Sequence, residues 1–141
     1  DIHKKGIHGG TPLQITCEKG YLEAARLLIR AGADINTGSR YSRTALQLAC
    51  ENGHIEVVTY LIEQRADVIS QRNYGRTPLQ LAAEQGHPAV VKELVEARAD
   101  TQVAGAYGRT PWTLACEGNF QVVQVLLKAG AGRRAKGKPS S

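Results

Sequence analysis

Apolar and polar positions alternate in a figure that recurs along the chain. The segments TPLQITCEKG from Thr11, TALQLACENG from Thr44, TPLQLAAEQG from Thr77 and TPWTLACEGN from Thr110 start at equal intervals. Behind each comes a second apolar stretch at helical spacing, such as YLEAARLLIR or HIEVVTYLIE. From their threonines onward the second and third units are identical at more than half of their aligned positions, so the figure is a true internal repeat. The pattern predicts two helices and a turn per unit. Leu13, Leu46 and Leu79 recur at one core position, and Ile15, Leu48, Leu81 and Leu114 at another.

Start and stop signals agree with that reading. A Thr hydroxyl can cap free N–H groups, and a Pro just inside the helix has no N–H to lose. Gln14, Gln47 and Gln80 stand at the third place after their Thr, the spacing of a capping box. Gly20, Gly53, Gly86 and Gly118 close the first helix, where a left-handed residue is easiest for Gly. At the end of the second helix Gly32 and Gly130 recur, but Arg65 and Arg98 stand at the same place in the middle units. If that place is left-handed, each Arg costs about 1 kcal/mol relative to Gly.

These residues resemble the ankyrin repeat, with Gln or Thr113 where that family usually carries His after Thr-Pro-Leu. The resemblance covers residues 1–132 and implies an all-α fold: an ankyrin-repeat solenoid of stacked helix-turn-helix units with short β-hairpin loops at one side. It divides the chain into the tail and loop of a preceding repeat (1–10), repeats at 11–43, 44–76 and 77–109, a shortened terminal repeat at 110–132 and a basic disordered tail at 133–141. Asp1-Ile2-His3 lies one full period before Asp34-Ile35-Asn36, which suggests an excerpt from a longer array. Terminal repeats need a polar outer face, yet the last helix, QVVQVLLK, keeps only a narrow polar stripe. Self-association through that helix is therefore one expectation.

Composition narrows the function. The hydrophobic fraction is 42% and the charged fraction 22%, ordinary for a folded globular chain. No apolar run approaches a membrane span, and no leader is visible. The net charge of +5 belongs to the ends: with Lys4, Lys5, Arg133, Arg134, Lys136, Lys138 and Asp1 set aside, residues 11–132 carry 12 groups of each sign. A basic footprint for nucleic acid is missing from the body. Binding of nucleic acid through loop Tyr and Arg side chains and the basic tail is the lesser alternative, beside a purely structural spacer.

Nothing in the chain reads as catalytic. There is no nucleophile elbow, phosphate loop or zinc-protease motif. Cys17, Cys50 and Cys116 share one place in their units and lack metal-ligand spacing, so they read as small buried thiols in an intracellular protein, cytoplasmic or nuclear. His54 and His87 fit the family's Gly-His turn, and Asn36 resembles its asparagine-hydroxylation site. No metal or cofactor is expected. The resemblance implies a non-catalytic module that binds a protein or peptide partner through loop tips and a concave face. The candidate contacts are Arg40, Tyr41, Arg43, Arg72, Asn73, Tyr74, Arg76, Tyr107 and Arg109 on the loops. On the groove floor they are Glu18, Lys19, Glu51, Asn52, Glu84, Gln85 and Glu117. Tyr and Arg are enriched in interface hot spots. An internal ladder of Arg–Glu pairs is the competing reading of the loop arginines.

Overall fold

The computed structural model of the chain describes residues 3–6, 10–36, 43–68, 77–97 and 120–128. Three helix pairs stand in them: α1 (Pro12–Lys19) with α2 (Leu22–Arg30), α3 (Ala45–Glu51) with α4 (Ile55–Glu63), and α5 (Pro78–Gln85) with α6 (Pro88–Glu96). A further helix, α7 (Phe120–Lys128), follows. No strand occurs among the described residues. The expected hairpin loops fall largely outside them, as do Trp112, Leu114, Cys116 and the tail at 133–141.

Helices of 7 to 9 residues are too short to hold in water alone. Packing supplies what length does not. The helices α1, α3 and α5 stack in an inner row, while α2, α4, α6 and α7 form an outer row. Each inner helix also packs on the outer helix that follows it. This is the solenoid that the repeat predicts.

The inner helices begin as their sequence directs. Thr11 Oγ1 accepts the Gln14 N–H at 3.2 Å, and Gln14 Oε1 accepts the Thr11 N–H at 2.8 Å. The same reciprocal pair joins Thr44 to Gln47 and Thr77 to Gln80. The glutamines are buried, so these bonds are what makes their burial tolerable. Each inner helix ends on a left-handed Gly, at φ 78° for Gly20, 74° for Gly53 and 75° for Gly86. The following N–H reaches back to close the last turn, as Tyr21 does to the Thr16 carbonyl at 2.9 Å. The helices α2 and α4 end the same way, on Gly32 at φ 99° and on Arg65, which takes the left-handed place at φ 70°; Arg98, at the same place after α6, lies outside the described residues.

Leu13, Leu46 and Leu79 are fully buried, as the repeat predicts. The second expected core position is graded instead. Ile15 is 41% exposed, Leu48 is half-buried and Leu81 is buried. Burial here is conferred by the neighbouring helix, and α1 is first in its row. The correction for Ile15 is therefore one of place in the stack, not of side chain. In α7, Val122 and Leu126 are buried, while Leu127 is 55% exposed.

Candidate functional site

The stacking of α1, α3 and α5 brings three helix C-termini side by side. Glu18 and Lys19 lie at the end of α1, Glu51 and Asn52 at the end of α3, and Glu84 and Gln85 at the end of α5. Glu18, Lys19, Asn52, Glu84 and Gln85 are exposed, and Glu51 is half-buried. The sequence-predicted floor residues thus form one polar row, with Glu117 outside the described residues. An acid in the last turn opposes the negative end of the helix dipole. The row repeats that unfavourable choice three times, and only α1 among these helices has a basic residue in its last turn, Lys19.

The one described loop arginine, Arg43, forms an ion pair with Glu51. Both side chains are largely shielded, at 22% and 26% exposure. This is the internal Arg–Glu pairing that the sequence leaves open, realised at one unit. It ties the base of the loop before α3 to the C-terminus of that helix. Arg40, Tyr41, Arg72, Asn73, Tyr74, Arg76, Tyr107 and Arg109 lie outside the described residues.

His54 and His87 act between units. Nε2 of His54 lies 2.9 Å from the Glu18 carbonyl oxygen, and Nε2 of His87 lies 2.9 Å from that of Glu51. A carbonyl only accepts, so Nε2 carries the proton in both rings. Each ring sits over the preceding unit's turn: a Cβ built on Gly20 would meet the His54 ring at 2.6 Å, and one on Gly53 the His87 ring at 2.7 Å. These glycines are required both by their dihedrals and by the ring above.

The thiols are structural. Cys17 and Cys50 are free and buried in the inner row. Desolvation pushes the Cys17 thiol up to about 12 against a small opposing hydrogen bond from Thr16, and burial raises Cys50 well above its ordinary value. Thiols held protonated are poor nucleophiles. Among the described residues no cluster of His, Cys, Asp and Glu could hold a metal. No described helix is long and apolar enough to cross a membrane.

Three contacts went unread in the sequence. The Arg26 guanidinium stands over the Tyr60 ring, 5.3 Å from its centroid, bridging α2 and α4. Asn36 Oδ1 accepts the Asp67 N–H at 2.9 Å, so this Asn joins one unit to the next. His3 Nε2 accepts the Asp34 N–H at 3.3 Å. His3 and Asn36 occupy the same place one period apart, as do Asp34 and Asp67. The register therefore held the signal for the last two.

Comparison with known proteins returns one family. A profile described as ankyrin repeats in three copies matches the chain over residues 1–72 and again over 65–136. No curated protein matches the chain.

Proposed function

The chain belongs to the ankyrin-repeat family, and from that premise we propose that it recognises a protein or peptide partner through its loop tips and the polar row on its inner helices. Ankyrin repeats are in general protein–protein interaction modules, and the family is typically non-catalytic. The proposal keeps unit boundaries at 11, 44, 77 and 110, with a shortened unit ending at 132. The observation that carries it is the exposed row of Glu18, Lys19, Asn52, Glu84 and Gln85. Its acids weaken the helices that bear them, and local rules tend to be broken at functional positions.

In this reading Tyr41, Tyr74 and Tyr107 are the anchors, because Tyr offers a rigid face with a polar tip. Arg43 holds its loop to α3 through Glu51, and Arg76 and Arg109 occupy the same register. The row behind them takes a partner of mixed charge. A scaffold whose helices are already stacked adds little ordering cost on binding.

The test is affinity capture from a lysate of the source cells, with nuclease present. The baits are the intact chain, Tyr74→Ala/Arg76→Ala and Glu18→Lys/Glu84→Lys, each checked for retained helicity. A protein held by the intact chain and lost with both variants supports the proposal. Equal retention by all three baits refutes it.

A further inference from the structure

The acids of the polar row have answering positions in the loops, at a fixed interval. Arg43 stands eight residues before Glu51, and their side chains form an ion pair. Arg76 and Arg109 stand at the same interval before Glu84 and Glu117. The first unit keeps only half of this arrangement. Glu18 supplies the acid, but the loop position that would answer it is Gly10. Glu18 is exposed, and its carboxylate makes no hydrogen bond or ion pair with a described residue. At Glu51 the arginine comes from that unit's own loop, so the gap at Glu18 is set by Gly10 and not by a neighbouring unit.

The backbone under Glu18 is held as it is under Glu51. Thr11 and Gln14 fix the start of α1 with the same reciprocal bonds that fix α3 at Thr44 and Gln47. The Glu18 carbonyl accepts from His54 Nε2 at 2.9 Å, as the Glu51 carbonyl accepts from His87 Nε2. The loop is closed by the Gly6 N–H on the Gly10 carbonyl at 2.9 Å. Space for a side chain remains beside it: a Cβ on Gly10 would meet Ile15 Cγ1 at 3.5 Å and Gln14 Oε1 at 3.7 Å, ordinary contacts. Gly10 is not at positive φ, so its backbone suits other residues. Lys19 is next in sequence to Glu18, and adjacent helical residues do not face each other.

We propose that Glu18 receives an arginine of the partner, in the seat that Arg43 fills at Glu51. This rests on the reading of the row as a partner-binding surface, and it gives that partner a chemistry, an exposed guanidinium. A guanidinium forks two parallel N–H bonds onto one carboxylate, whereas an ammonium offers only a point charge. Arginine is therefore preferred over lysine.

Amide NMR on the full chain tests this, with the blocked peptide Gly-Ser-Arg-Ser-Gly and its lysine counterpart as probes. Gly10→Arg fills the seat from within, Gly10→Ala changes the same position without filling it, and Glu18→Gln removes the charge. Circular dichroism checks that each variant folds. In the intact chain and in Gly10→Ala, the arginine peptide shifts the amides of Glu18, Lys19 and Gly20 and binds more tightly than the lysine peptide. In Gly10→Arg and Glu18→Gln its apparent affinity falls by about fivefold. Three results overturn the proposal: amides at Glu18 that do not move, two peptides that titrate alike, or a Gly10→Arg chain that binds as the intact one does. Lysate capture with Gly10→Arg separates this inference from the reading beneath it. A protein held by the intact chain and lost with Gly10→Arg supports both. One held equally by the two baits leaves recognition standing and overturns the arginine seat. No protein held, with the peptide still on Glu18, overturns recognition by the row and upholds the seat.

Discussion

The inner and outer rows reach similar helices by different routes. The helices α1, α3 and α5 each open on a Thr that caps the first turn and a buried Gln that answers it. The helices α2, α4 and α6 open on Tyr21, His54 and His87, and none of these side chains caps its own helix. His54 and His87 bond to the preceding unit instead. The inner row is thus specified residue by residue, while the outer row is specified by what it leans on. A fold of short helices needs both, because packing alone does not fix where a helix starts and caps alone do not hold so short a helix together.

The largest expected effect tests the dependence of the outer row. Leu61 is fully buried in α4, and Leu61→Ala costs about 2–5 kcal/mol in urea unfolding. Amide exchange accelerates in α2 and α6 as well as in α4. Acceleration confined to α4 breaks the comparison.

The inner row has its own liability, at alkaline pH. An unfolded thiol titrates near 9.0, whereas folded Cys17 holds its proton to about 12. Within that window the unfolded chain has lost a proton that the folded chain keeps, so stability is full below pH 9 and falls as pH rises. The slope is up to about 1.4 kcal/mol per pH unit for each buried thiol. Thermal melts of Cys17→Ala/Cys50→Ala from pH 8 to 10.5 show a flatter decline than the parent.

Capping gives a smaller and more local effect. Thr44→Ala costs about 1 kcal/mol, read as a lower unfolding midpoint. Tyr21→Ala, at an exposed outer-helix start without a cap bond, stays within about 0.5 kcal/mol of the parent. A comparable loss at both sites erases the distinction between the rows.

The smallest change runs in the opposite direction. Arg65→Gly relieves a left-handed side chain and raises stability by about 0.5–1 kcal/mol, the strain removed less the added freedom of the unfolded chain. A melting temperature that falls instead assigns Arg65 a contact of its own.

What the sequence disclosed follows the same division. The Thr-x-x-Gln caps and the left-handed Gly20, Gly53 and Gly86 were legible, since each depends on neighbours close by in the chain; the burial of Cys17 and Cys50 was legible from their recurrence at one place in the unit, and the repeat left open whether Arg65 is left-handed until its dihedral showed it. Ile15 was misplaced in the core because its burial depends on a helix beside it, not on its own turn. The Arg26–Tyr60 contact was hidden for the same reason: the residues lie on different units, and neither side chain recurs at those places. Of the candidate site, the register of Glu18, Glu51 and Glu84 was legible at once. The pairing of Arg43 with Glu51 remained one of two readings until the geometry chose it.

The His rings set a rule for how such an array changes length. Each ring needs a carbonyl and a bare glycine in the unit before it, so one repeat carries the plug for its predecessor and the socket for its successor. Copying or deleting a stretch one whole period long keeps every plug opposite a socket, whatever point the stretch begins from. A stretch that ends inside a helix pair and is not a whole number of periods long breaks the pair that carries the ring or the glycine. The step at which the gene can grow is thereby written into the contact between an imidazole and a turn.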